Sequence, residues 1–145
     1  MDKQNDTSEL SDLKCVIVVD HNLSRGQAAN RAAVLTSGIM NLHPEMIGRD
    51  IVTKDGYKVN AISRVPIPIL MTSGDFSFYQ TIKKAEQGGC QVVLYFGYAQ
   101  GLRSYKAYEE YISDKELSSL DIDGILLYGS KKRVNRLTGS LPMLK

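Results

Sequence analysis

Four stretches of the chain are nearly unbroken apolar runs of strand length, and between them apolar residues recur every three or four positions. The first run, Cys15-Val16-Ile17-Val18-Val19, is rich in β-branched residues and has no polar alternation, which predicts a strand buried on both faces of a sheet. Asp20-His21-Asn22-Leu23-Ser24 follows with turn chemistry. Ser24 and Gln27, three positions apart, fit a capping box in which each side chain satisfies a backbone amide at the other end. The helix begins there, and its Ala28, Ala29, Ala32, Ala33, Thr36, Ile39 and Met40 recur at helical spacing. So many small residues let its axis lie close to the sheet. Asn41 and then His43-Pro44 end it, because the residue before proline is pushed out of the α region.

The same reading carries through the rest of the chain. Asp55-Gly56, between Ile51-Val52-Thr53-Lys54 and Tyr57-Lys58-Val59-Asn60, predicts a small hairpin closed by a type I′ turn. Val65-Pro66-Ile67-Pro68-Ile69-Leu70-Met71 reads as a strand whose prolines remove ladder donors on one side, so that side of its first half is an edge. Ser73 or Asp75 can cap a helix carrying Phe78, Tyr79, Ile82 and Ala85, with Gly88-Gly89 as its left-handed stop. Gln91 to Phe96 is another buried strand; Gly97 and Gly101 bracket a loop before a helix with Tyr105, Tyr108 and Ile112 on one core-facing stripe. Gly124 to Tyr128 is the fourth strand, and Ser130 caps a last helix that Thr138-Gly139 closes. Strands alternating with helices define an α/β fold class: a three-layer domain with a mixed, mostly buried sheet of about four strands flanked by helices, plus the hairpin.

At 145 residues, 43% hydrophobic and 23% charged, the chain is of single-domain size and able to bury a substantial core. Residues 1–12 hold four acidic side chains against Lys3 alone and read as a disordered N-terminal tail, which leaves 13–145 as the domain. The apolar runs fall far short of the roughly 20 residues that span a bilayer, and the N-terminus has no signal-peptide core. A soluble, cytoplasmic protein without a membrane partner is expected. Cys15 and Cys90 both sit beside or within buried strands and read as small core hydrophobes rather than a disulfide. The net charge of +2 is unevenly placed: Lys131, Lys132, Arg133, Arg136 and Lys145 crowd the last sixteen residues without an acid among them. That patch is either a solvated face or a nucleic-acid contact.

Function in layered α/β domains collects where loops leave strand ends. Two such loops, Asp20 to Gln27 and Gly97 to Arg103, are therefore the candidate walls of a shared cleft. Asn22, Ser24, Arg25, Gly26, Gln27 and Asn30 are the candidate ligand-binding residues on the first wall, where free amides and the helix dipole favour an anion. Gly97, Gln100, Gly101 and Arg103 are their counterparts on the second. His21 is the natural general acid or base, with Asp20 or Asp75 to orient it. The competing reading makes Asp20, Asn22 and Ser24 turn and cap residues and His21 a surface side chain. His21 and His43 have no neighbouring acids or cysteines at ligand spacing, so neither a metal nor a cofactor is expected. Gly97-Tyr98-Ala99-Gln100-Gly101 is not a dinucleotide fingerprint, which needs its glycines directly between strand and helix.

A strand, a short polar loop and then Gly26-Gln27-Ala28-Ala29 opening an alanine-rich helix resembles the start of type 2 peptidyl-tRNA hydrolases, which carry Gly-Lys-x-Ala-Ala-Gln there. Ile67 to Met71, the helix end Lys84 to Gly88, and Gly124 to Gly129 followed by Val134 to Leu144 resemble the last two thirds of that family. From about Lys14 to Lys145, with its terminal valine, Thr-Gly and Leu-Pro pattern, the chain is more similar still to the family catalogued as domain of unknown function two thousand. The resemblance implies the hydrolase fold and relatives that handle tRNA; the partner expected here is tRNA, RNA or a small phosphate-bearing ligand, with a homodimer as one form of the protein. The hydrolases' helix-opening lysine falls on Gln27, which carries no cation. Their Asp-Ala-Gly-x-Thr segment falls near Tyr98 to Gly101, which has no carboxylate. A non-hydrolytic binder of a phosphate-bearing ligand follows; the alternative is an ester or amide hydrolase that uses His21 and Asp20 in place of the missing groups.

Overall fold

The computed structural model describes residues 10–145. Most of the acidic stretch read as a tail, up to Glu9, lies outside them. Leu10 packs against the core and the Lys131 amide donates to the Asp12 carbonyl at 2.9 Å. In chain order the elements are β1 (Leu13–Val19), α1 (Arg25–Leu42), β2 (Ile51–Val52), β3 (Lys58–Val59), β4 (Ile69–Met71), α2 (Phe78–Gln87), β5 (Gln91–Phe96), α3 (Tyr105–Ser113), β6 (Ile122–Ser130) and α4 (Lys131–Thr138). Short 3₁₀ turns lie at Pro44–Met46, Gly97–Gly101 and Leu117–Ser119.

The main sheet is mixed, in the order β4-β1-β6-β5. β1 runs parallel to β4 and antiparallel to β6, which in turn pairs antiparallel with β5. Alternation along β1 and β6 sends side chains into two separate cores. Cys15, Ile17, Val19, Leu126 and Tyr128 meet Ala28, Ala32, Leu35 and Ile39 of α1 on one face. Val16, Val18, Ile125 and Leu127 meet Ile82 and Ala85 of α2 and Val134 of α4 on the other. This is why the first apolar run has no polar alternation. Each large aliphatic side chain fully buried there contributes about 1.5–3 kcal/mol.

The sheet's two outer edges differ. β4 is an edge, as Pro66 and Pro68 require, but it begins only at Ile69 because those prolines bring no amide to a ladder. Pro68 still accepts from the Ile17 amide at 3.0 Å. From Ile69 onward the outer side is covered by the C-terminal segment: Met71 donates to the Pro142 carbonyl at 3.0 Å and Leu144 to the Ile69 carbonyl at 2.9 Å. β5 forms the opposite edge.

Ser24 caps α1 through the capping box read from the sequence. Its Oγ accepts from the Gln27 amide at 3.2 Å, and Gln27 Oε1 accepts from the Ser24 amide at 3.0 Å. The buried face of α1 differs from the expected one: Ala28, Arg31, Ala32, Leu35 and Ile39 are buried, whereas Ala29 and Ala33 face solvent. The helix does lie close to the sheet, for a Cβ on Gly38 would stand 2.7 Å from Val93 Cγ1.

Three local expectations are corrected. Among the described residues no non-glycine has positive φ, so Asp55 cannot take the first centre of a type I′ turn. The hairpin instead closes with the Gly56 amide donating to Thr53 and Gly56 alone at φ +92, a type I turn with a glycine bulge. α2 is capped by Ser77, whose Oγ accepts from the Gln80 amide at 3.2 Å, rather than by Ser73 or Asp75. Of the α3 tyrosines, Tyr105 is 73% exposed, and no residue of that helix is fully buried. Cys15 and Cys90 are free and fall in the two different cores, on opposite faces of the sheet. Burial pushes the Cys15 thiol up to about 12 and raises that of Cys90 as well.

Ser24→Ala should lower stability by about 1 kcal/mol and Ser24→Asp should be nearly neutral. Denaturant midpoints of the two variants check this; an unchanged Ser24→Ala midpoint would remove the cap from the energetics of α1.

Candidate functional site

The N-terminus of α1 and the Gly97–Gly101 turn face each other across a cleft of about 540 Å³. Leu23, Gln27 and Arg31 line one wall, Gly97, Tyr98, Gln100, Gly101 and Leu102 the other, and Asp123 the base. The two loops expected to share a cleft do so.

Arg31 anchors it. The residue is 2% exposed, and its guanidinium donates through Nε to Asp123 Oδ1 at 3.2 Å and through Nη2 to Oδ2 at 2.9 Å. Nη1 donates to Gln100 Oε1 at 2.5 Å, and the group sits 4.5 Å over the Tyr95 ring. The bond to Asp123 raises the Arg31 pKa against the opposing effect of burial. Two glycines clear the space: a Cβ on Gly97 would stand 2.7 Å from Asp123 Oδ2, and one on Gly124 would stand 3.3 Å from Arg31 Cγ.

Asp121, one residue before β6, fixes the second wall. Its carbonyl accepts from the Gly97 amide at 2.8 Å, and its carboxylate accepts from the Tyr98 amide at 2.8 Å and the Tyr111 hydroxyl at 2.7 Å. That hydroxyl bond pushes the Tyr111 pKa up to about 12. Tyr98 stacks on Tyr111 at 4.5 Å, which ties the turn to α3.

Both carboxamides in the cleft already accept one hydrogen bond each. Gln27 Oε1 receives the Ser24 amide and Gln100 Oε1 receives Arg31, and neither partner can act as an acceptor. What each side chain has left for the cleft is the two N–H donors of its NH₂ and one further lone pair on its oxygen. Arg25 and Gly26, whose first-turn amides have no intrahelical acceptor, lie outside the lining, as do Asn22 and Ser24. The unspent polar groups are therefore mostly donors.

The remaining candidates from the sequence fall elsewhere. His21 is exposed, with Nδ1 2.7 Å from Thr72 Oγ1 and 4.0 Å from Asp20 Oδ1, and it does not line the cleft. Asp20 Oδ1 accepts from the Asn22 amide at 2.8 Å in a local turn. Asn30 and Arg103 are exposed and also lie outside the lining. The basic residues of α4 divide between two depressions: Lys131 and Lys132 beside Asp12, Arg133 and Arg136 beside Lys84. They start where β6 ends, a nine-residue strand or about 30 Å from the cleft. Among the described residues no three His, Cys, Asp or Glu side chains gather as metal ligands, and no helix is long and apolar enough to cross a membrane. Arg31 and Asp123 are the site residues that sequence reasoning missed. The available signal was a cation four positions after Gln27 on the helix's alanine stripe.

Fold and cleft define a three-layer α/β domain with a small polar site at the end of its central strands. The chain belongs to the family described as protein of unknown function DUF2000, which matches residues 13–145. It is similar in fold to a solved protein of unknown function from Agrobacterium tumefaciens strain C58, with a TM-score of 0.77 and 22% sequence identity. That likeness covers 92% of this chain and 98% of the other. No curated protein matches the chain.

Arg31→Met should cost about 3 kcal/mol or more, because it leaves the Asp123 carboxylate without its partner. Arg31→Met combined with Asp123→Leu should recover much of that loss. Urea midpoints of both single variants and the double variant decide it; a double-variant loss equal to the sum of the two single losses would mean that the pair does not act as a unit.

Proposed function

We propose that the chain is a non-hydrolytic binding protein, related in fold to type 2 peptidyl-tRNA hydrolases, whose cleft takes a phosphate-bearing ligand: RNA or a small metabolite. The donor-rich lining carries this reading. With each oxygen of Gln27 and Gln100 already accepting one bond, the cleft offers their NH₂ groups, four N–H donors, beside the first turns of α1. Such a surface suits an acceptor-rich anion. A volume of about 540 Å³ suits a small molecule or a single nucleotide unit. Free, buried cysteines accord with a cytoplasmic location.

The hydrolase alternative has less support. The ionisable side chains lining the cleft are Arg31, Asp123 and Tyr98, and Asp123 is bound by Arg31 through both oxygens. The lining therefore holds no imidazole and no carboxylate outside an ion pair, and His21, beyond it, is engaged with Thr72. The α4 patch, about 30 Å distant, could join the cleft in binding only an extended RNA.

Gln27→Glu and Gln100→Glu test the binding site without disturbing the fold, since each keeps the oxygen that Ser24 or Arg31 needs and replaces the NH₂ with a second acceptor. In a melting-temperature screen over inorganic phosphate, mononucleotides and tRNA, a ligand at a hundred times its Kd stabilises by about 2.7 kcal/mol. Each Glu variant should weaken that ligand at least tenfold. A shift left intact in both variants would remove the cleft as the site, and no shift with any probe would sink the binder.

The intact protein should hydrolyse N-acyl-aminoacyl-tRNA no faster than buffer, because a missing electrostatic stabiliser costs about 10² to 10³ in rate. Acyl release at neutral pH measures this. Multiple turnovers abolished by His21→Ala would promote the hydrolase reading over the binder.

A further inference from the structure

The polar cleft is not lined by donors alone. Leu23, Tyr98 and Leu102 bring apolar surface to it, and a bare inorganic anion gains nothing from a wall of that kind. Among the described residues three tyrosines are more than half exposed, Tyr57, Tyr98 and Tyr105, and of these Tyr98 alone lines the cleft. One face of its ring lies on Tyr111, with the planes 14° apart and the centroids at 4.5 Å. The residue is nonetheless 57% exposed, which leaves the other face open. Asp121 holds this pair of rings in place, since its Oδ2 accepts from the Tyr98 amide and its Oδ1 from the Tyr111 hydroxyl, and Lys115 Nζ stands 4.1 Å from the centroid of the Tyr111 ring. An open aromatic face kept in one orientation has already lost the freedom that binding would take from it. Two residues further along the same turn, Gln100 is exposed and keeps its N–H donors beside a lone pair on its oxygen. Donor and acceptor side by side are what a carboxamide uses to read the edge of a base.

We propose, resting on the phosphate-binding reading of this cleft, that its ligand is a nucleotide whose base stacks on the open face of Tyr98 and whose phosphate lies toward Gln27 in the first turn of α1. Stacking on an aromatic ring accepts every base, because each has a π-face, so Tyr98 sets the class of ligand and the Gln100 carboxamide the choice among bases. Leu23 lines the opposite wall, where it supplies an aliphatic cover for the second face of the base. The volume of about 540 Å³ accommodates base, sugar and phosphate together. A free nucleotide and an unpaired nucleotide within RNA present the same base and phosphate, and that shared chemistry is what the cleft recognises.

Calorimetric titration of the full chain with ribose 5-phosphate, the ribonucleoside 5′-monophosphates and a single-stranded trinucleotide tests this. At least one monophosphate should bind about tenfold more tightly than ribose 5-phosphate. Tyr98→Ala should abolish that difference and leave ribose 5-phosphate binding as it is in the parent, whereas Tyr98→Phe, which keeps the ring, should retain it. A trinucleotide that outbinds the monophosphate, with the same dependence on the ring, supports the nucleotide site with RNA as the source; equal affinities support it with the free nucleotide. If ribose 5-phosphate and every nucleotide bind equally well, the base has no place in the cleft and the proposal is overturned while the phosphate-binding reading stands. A nucleotide preference that survives Tyr98→Ala overturns it as well. So does a Tyr98→Ala protein that loses ribose 5-phosphate as much as the nucleotides, because the ring then only shapes the turn. Binding of none of these probes would remove the phosphate-binding reading and the nucleotide with it.

Discussion

The Arg31 guanidinium is withdrawn from water in the middle of α1, and the geometry around it follows from the cost of leaving a charge there alone. Asp123 meets it with both oxygens from the start of β6, Gln100 takes a third donor from the Gly97–Gly101 turn, and the Tyr95 ring covers its face. One cation thus connects a helix, two strands and a loop. Gly97 and Gly124 have no side chain because one would collide with this arrangement. The cleft above it is a by-product of the same constraint: when the pair neutralises itself at the base, the unused donors of Gln27 and Gln100 are left to face whatever enters.

Most of the layering was legible in the residues. An unbroken β-branched run can only be a strand with apolar neighbours on both sides, and Cys15 to Val19 obeys that rule with alternate side chains in separate cores. Ser24 and Gln27 announced the start of α1 because the capping box is local, requiring nothing beyond four consecutive residues. Pro66 and Pro68 announced an edge for the same reason. Local rules failed where several residues competed for one role. Ser73, Asp75 and Ser77 are all competent caps, and packing of Phe78, Ile82 and Ala85 decided between them. Asp55-Gly56 is compatible with two turn geometries, and only one of them keeps aspartate out of the left-handed region.

The site was legible only as a place. That two loops share a cleft follows from topology, but its central pair joins residues 31 and 123, and no pattern within either element names the other. Arg31 also stands against the usual correlation, since an arginine on a helix is ordinarily a solvent residue. A periodicity argument therefore passed over it and put Ala29 and Ala33 on the buried face instead. His21 illustrates the opposite error of emphasis: a histidine at a strand end draws chemical attention, while its ring nitrogen is taken by a threonine hydroxyl across the neighbouring loop.

The register of β1 bears on how such a molecule assembles. Its partner on one side is β6, with Leu13 opposite Ser130 and Val19 opposite Gly124, so the two central strands come from opposite ends of the chain. Nearly the whole polypeptide must be drawn into a loop before the most buried ladder can form, and that entropy is lost before any of the ladder's contacts exist. Pairing across so long a sequence separation raises contact order, the property that slows folding in small domains.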